Sequence, residues 1–158
     1  TYQEFIPGYD ITIPIVFNPI IQDIDLFPAT VYVPLSKDPY WIYDEQEKEC
    51  DDNFEILITS KIEDKCKLNL LNFAKEFPIN TFGRIDARLR CNDKKLSKEI
   101  IKKPLSGESL YFIEINSMPT IEPEDSFEYA LNYIKIKKPT INGFLLFCSM
   151  ASFFKAMY

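Results

Sequence analysis

The stretch Gly83–Arg90, GRIDARLR, constrains the chain most, because it alternates strictly between charge and hydrocarbon. Arg84, Asp86, Arg88 and Arg90 share one parity, and Ile85, Ala87 and Leu89 the other. A period of two is the mark of a strand with one face in a core and the other turned to a polar space. All three arginines of the chain fall on that polar face. A second stretch, LYFIEIN at 110–116, alternates too. Leu110, Phe112, Glu114 and Asn116 are expected on one face, and Tyr111, Ile113 and Ile115 on an ordinary core face. Glu114 and Asn116 then stand roughly 6.5–7 Å apart, twice the ~3.3 Å strand rise. Oxygens at that spacing can grip hard cations and the phosphates between them. Each stretch alone also reads as a half-exposed strand with solvated polar residues. Paired antiparallel, they place Asp86 near Glu114 and Asn116, with Arg84 beside them. Asp, Glu and Asn oxygens suit Mg²⁺ or Mn²⁺, and arginine suits a phosphate or a developing oxyanion.

Composition narrows the chemistry. The 158 residues suffice for one domain with a real core, and 46% apolar with 27% charged residues is a soluble globular balance. A net charge of −6 argues against broad nucleic-acid binding, although clustered arginines still allow a local phosphate site. The chain has no histidine, which removes Ser-His-Asp and Cys-His catalysis and imidazole metal sites. Cys50, Cys66, Cys91 and Cys148 show neither a CxxC pair nor zinc spacing, and read as reduced thiols of a cytoplasmic protein, with a secreted origin and paired cysteines as the alternative. No signal peptide opens the chain, and Thr1 is not an initiator methionine, so a larger or processed polypeptide is expected.

Along the chain, a turn at Pro7-Gly8 leads into an alternating strand over 10–17, followed by strand-like runs at 20–24 and 29–35. Prolines 14, 19, 28, 34 and 39 suit edges and bulges better than a central strand. Residues 38–57 are acidic and aromatic without a clear period, the character of a disordered or a functional segment. Ser60-Lys61-Ile62-Glu63 reads as a capping box opening a four-turn helix with the stripe Ile62, Cys66, Leu70, Phe73/Ala74, Phe77, stopped by Pro78. Residues 92–109 carry five lysines interleaved with Leu96, Ile100 and Ile101, and read as an exposed, solvated insertion with a short helix, or as a contact site for an acidic carrier or substrate. Asp125-Ser126-Phe127-Glu128 is a cap and helix start. Residues 143–158 are apolar nearly all round. They are shorter than the ~20 residues of a membrane span, and so read as a core helix or an oligomer contact.

GRIDARLR followed by LYFIEINSMPTIEPEDSF resembles the C-terminal half of an ATP-grasp domain of the D-alanine–D-alanine ligase type. The resemblance runs from about Gln3 to about Phe127 and is sharpest at Gly83–Asp86 and Glu114–Pro119. It implies an α+β fold, a mostly antiparallel sheet packed with helices. Residues 1–138 would form a partial ATP-grasp domain, and 139–158 an apolar helix packed on it or on a second copy. It also implies the reaction. ATP phosphorylates a carboxylate to an acyl phosphate, and an amine attacks to give an amide, with Mg²⁺ or Mn²⁺ as cofactor and amino-acid-like substrates. Gln3, Glu4 and Ile6 match the adenine hinge, and Asp10 the position usually held by a ribose-binding glutamate. Tyr43-Asp44 begin the loop that closes over the nucleotide, and Lys48 matches its phosphate-facing lysine. Glu49 stands where the family commonly has an aromatic residue near the second amino acid, which moves the expected acceptor away from a small D-amino acid. Glu114 would bridge two metal ions, with Asp86 on one and Asn116 on the other. Arg84 and the backbone amide of Thr120, which replaces the usual glycine, would stabilise the oxyanion. Ser126 and Phe127 fall near the pair that receives the acceptor. The family's other lobe, with two phosphate lysines, does not precede Gln3, so this chain is expected to be part of a ligase that needs that lobe. The alternative is a non-catalytic nucleotide- or metal-binding or assembly module on the same fold. Neither nucleic acid nor membrane is an expected partner.

Overall fold

The computed structural model describes residues 4–18, 22–36, 38, 40–43, 53–79, 81–91, 102–119, 121 and 126–133. Among them are six strands and two helices: β1 (Gly8–Asn18), β2 (Asp23–Leu26), β3 (Ala29–Pro34), β4 (Phe54–Thr59), α1 (Asp64–Lys75), β5 (Phe82–Arg90), β6 (Leu110–Asn116) and α2 (Ser126–Tyr133). The strands form one antiparallel sheet in the order β4-β3-β1-β5-β6, with β2 paired to the far end of β1. This is the α+β, mostly antiparallel architecture that the resemblance implies.

One face of the sheet carries the main core. Ile11, Ile13 and Ile15 of β1, Val31 of β3, and Ile85 and Leu89 of β5 are buried there with Cys66, Leu70 and Ala74 of α1. Those three helix positions recur every four residues, so one stripe of α1 reaches the sheet. Its last turn is tied to β2 by Lys75 Nζ and an Asp23 oxygen at 3.0 Å. The Ile24 amide, and then Lys75, hold the Asp23 carboxyl below its ordinary range. On the opposite face a smaller cluster joins Val16 to Phe127 and Leu131 of α2. The remainder of that second face is where the polar side chains of β5 stand.

Several local expectations are corrected. The residue that caps α1 is Glu63, whose side chain makes no capping hydrogen bond, so Ser60–Glu63 is not a capping box. Residues 61–63 are instead held by a parallel bridge: the Glu63 amide donates to the Leu105 carbonyl at 2.9 Å, and the Leu105 amide to Lys61 at 2.8 Å. Leu105 is thereby buried in the main core, so the end of the lysine-rich segment is not a solvated insertion. Phe54–Thr59, at the end of the aperiodic acidic run, is edge strand β4. Pro14 lies in a central strand. It is tolerated because it falls where β1 changes partner: β3 pairs with residues 10–12 and β2 with 15–18. Its carbonyl accepts from the Phe27 amide at 2.9 Å in the junction between those strands, where no ladder bond requires an N–H from residue 14. Residues 92–101 and the apolar stretch 139–158 lie outside the described residues.

Candidate functional site

The site begins with the register of β5 and β6. Arg84 stands opposite Asn116, Asp86 opposite Glu114, and Ile85 opposite Ile115; beyond this, Ala87 faces Phe112 and Leu89 faces Leu110. The two sets of pairs are out of step by one residue, so Ile113 is an extra residue in a β-bulge. The uninterrupted alternation expected for 110–116 is therefore wrong in one respect. Leu110, Phe112 and Ile115 share the face of α1, where Phe112 stacks on Phe73 at 5.2 Å. Tyr111, Glu114 and Asn116 share the opposite face with Arg84, Asp86 and Arg88. A regular strand could not bury Leu110 and also bring Glu114 beside Asp86, since a shift of one residue exchanges the faces.

Within this face, Arg84 grips Asp86 through two parallel bonds, Nε to Oδ1 at 2.7 Å and Nη2 to Oδ2 at 2.9 Å. Asn116 Oδ1 accepts from the Met118 amide at 2.9 Å, which turns the chain out of β6. Glu114 is exposed, and its side chain has no hydrogen bond or ion pair among the described residues. No group of three or more acidic, cysteine or histidine side chains with metal-binding geometry occurs among the described residues. The hard-oxygen set is thus two opposed carboxylates and one carboxamide, with one carboxylate already engaged by arginine.

Two positions along β5, the second arginine is buried. Arg88 pairs with Asp10 Oδ2 at 2.7 Å, and the Tyr43 amide donates to that same oxygen at 2.7 Å. Asp10 is therefore a structural partner of Arg88 first, with Oδ2 occupied twice. Arg90 lies over the Tyr111 ring at 4.2 Å and has Glu4 at 3.6 Å. Above Arg88 and Asp10 opens a cavity of about 530 Å³, walled by Phe5, Ile6, Ile42 and Ile113. That volume lies in the range of small-molecule sites, roughly 300–1,000 Å³. Glu4 and Ile6, matched to the adenine hinge, and Asp10, matched to the ribose-binding position, all line it.

Arg88 and Ile113 escaped the sequence reading as site residues. The parity of Arg88 was visible, but its burial depends on Asp10, 78 residues away. The exposure of Ile113 depends on the bulge. Ser126 and Phe127 are both buried, Phe127 edge-on to Phe82 at 5.7 Å, so neither offers its side chain to solvent. Gln3, Lys48, Glu49 and Thr120 lie outside the described residues.

No protein-family model and no curated protein matches the sequence. Among solved structures, the chain is similar to D-alanyl-alanine synthetase A from Vibrio cholerae, with a TM-score of 0.56 at 14% identity over 95% of this chain and 40% of that one. The fold is like that of an ATP-grasp lobe. At this identity the likeness speaks for the fold alone, and the chain spans 40% of the synthetase's length. No helix among the described residues is long and apolar enough to cross a membrane.

Proposed function

We propose that this chain is the metal- and nucleotide-facing lobe of an ATP- and Mg²⁺-dependent carboxylate–amine ligase that makes an amide through an acyl phosphate. The observation that carries this reading is the β5–β6 register, which sets Asp86 against Glu114 and Arg84 against Asn116 on one face. The adjoining cavity lined by Glu4, Ile6 and Asp10 supports it further. The donor set fits Mg²⁺: Asp86, Glu114 and Asn116 supply hard oxygens, and Glu114 has no competing partner among the described residues. These three would hold the ion, with Arg84 releasing at least one of its two bonds to Asp86. Bound there, Mg²⁺ supplies charge neutralisation for phosphate oxygens. Arg84 would then steady negative charge on an oxygen of the reacting carboxyl carbon. No histidine or covalent enzyme intermediate is required, because the chemistry asks for alignment and charge compensation.

Glu114→Gln tests the reading in the full-length protein. It keeps the shape and removes the charge, so Mg²⁺-dependent ATP turnover should fall at least a hundredfold while the fold survives. Unchanged turnover in a folded variant would overturn the metal assignment. The observation favouring the second reading, a non-catalytic module, is the closed Arg84–Asp86 pair. That reading expects Mg-ATP binding with no turnover in the wild-type protein.

A further inference from the structure

Arg88 has no part in the chemistry just described, yet it is 5% exposed and makes four hydrogen bonds. Its Nε donates to the Ile6 carbonyl at 3.2 Å, and Nη2 to the Gly8 carbonyl at 2.9 Å. Nη1 donates to Asp10 Oδ2 at 2.7 Å and to the Trp41 carbonyl at 3.0 Å. Guanidinium has five N–H donors in a rigid planar fork, and four are used here. The Phe5 ring lies against its centre at 5.1 Å. The acceptors come from two stretches far apart in sequence: the segment entering β1 and the segment at 41. Asp10 draws them together again, through the Tyr43 amide at 2.7 Å. Carbonyls such as those of Ile6 and Trp41 lie outside the sheet ladder and need a donor when they are shut away from water.

We propose that Arg88 is a positioning residue, which sets the separation of the cavity's two loop walls by hanging both from one guanidinium. Phe5 and Ile6 form one wall and Ile42 the other, and both are referred through Arg88 to β5, hence to Ile113 on the neighbouring strand. A planar fork is required, because four diverging bonds to fixed acceptors cannot be made by the compact, freely rotating ammonium of lysine. For its ligand the proposal rests on the cavity being the nucleotide site; for its geometry it does not.

Trp41 is the single tryptophan of the chain, so its fluorescence reports the position of one wall without any ligand. In the 158-residue chain, Arg88→Met should shift Trp41 emission to the red and at least double its quenching by acrylamide, with the far-ultraviolet circular dichroism retained. In the full-length protein, ATP affinity should fall at least tenfold. Arg88→Lys should restore the charge but neither the quenching nor the affinity, which separates positioning from simple neutralisation of Asp10. Wild-type quenching in a folded Met variant, or full rescue by lysine, would overturn the proposal. Failure of both variants to fold would overturn it as well, since Arg88 would then be holding the sheet rather than the wall. A wild-type protein that does not bind ATP would tell against the ligase reading and leave the Trp41 comparison to decide the role of Arg88.

Discussion

Tyr9 lies fully buried in the main core, and its hydroxyl has no hydrogen-bond partner among the described residues. Burial, and then the proximity of Cys91, pushes its phenol well above the ordinary value of 10.0. Below pH 10.0 the proton is held by folded and unfolded chains alike, and the group leaves stability independent of pH. Above that value the unfolded chain ionises first, so stability falls as pH rises towards the folded-state value. Tyr9→Phe removes both the unpaired hydroxyl and this ionisation. An unsatisfied buried polar group costs about 1–3 kcal/mol, so the variant should gain about 1 kcal/mol at neutral pH, or roughly 3 °C in Tm. Its stability should also stay flat where the wild type begins to weaken above pH 10. Thermal melts from pH 7 to 11 check both, and a loss of stability at neutral pH would show that the hydroxyl is satisfied. Single residues of this kind were not legible beforehand. The sequence marks Tyr9 only as apolar and aromatic, and Arg88 only as polar by parity. Their environments are set by partners distant in the chain, Cys91 for one and Asp10 for the other. Gly8 is similar: at φ 150° it opens β1, and a Cβ there would strike the Leu89 carbonyl oxygen, a contact that becomes visible only once β1 and β5 are paired.

At the scale of elements, the informative feature is the bulge at Ile113. Removal of this residue would leave Leu110, Phe112 and Ile115 on the core face and Tyr111, Glu114 and Asn116 on the other, in unbroken alternation. The fold does not need the bulge, then, and its visible consequence is an apolar side chain, 56% exposed, standing in the cavity wall. Bulges next to sites commonly re-aim a side chain at the expense of local pairing. Deleting Ile113 should therefore give a folded protein within about 1 kcal/mol of the wild type, with a regular β5–β6 ladder. ATP affinity should drop roughly tenfold, since covering an isoleucine side chain is worth about 1.5–3 kcal/mol. Thermal unfolding and an ATP titration measure the two effects, and an unfolded deletion or an unaltered affinity would contradict this account. The elements themselves were largely legible: β1, β3, β5, β6 and α1 follow local periodicity and lie close to their expected bounds. Strand β4 was not, because FEIL continues an acidic, aperiodic run, and only pairing with β3 makes it a strand. The start of α1 was misread because Ser60 has the right spacing to Glu63 for a capping box, yet the backbone there is claimed by Leu105.

For the molecule as a whole, the core and the site face have opposite characters. Isoleucines 11, 13, 15 and 85, with Leu70 and Leu105, are at most 2% exposed and bind β1, β5, α1 and the bridge at 105 into one cluster. That core should fold cooperatively in the 158-residue chain. The site face, by contrast, is open: Glu114 is exposed, and Met118, just beyond β6, is 86% exposed. The similar synthetase continues well beyond the 40% of its length shared with this chain. Charges at 4 Å interact by about 1 kcal/mol in water but about 4 kcal/mol near a protein surface with an effective dielectric constant of 20. A triphosphate held only by this open face would therefore gain little from Arg84 or from the carboxylates proposed to hold metal. Mg-ATP should bind the 158-residue chain at about millimolar concentration, worth about −4 kcal/mol, without measurable hydrolysis. Exposed Phe112 and Ile113 on edge strand β6 should also promote self-association, because unpaired strand edges and apolar side chains both invite a partner. Calorimetry with Mg-ATP and a light-scattering mass at several concentrations check the two halves. A strict monomer that binds ATP at micromolar concentration and hydrolyses it would show that these residues alone exclude water from the site. The second face would then have to be covered by part of the same chain.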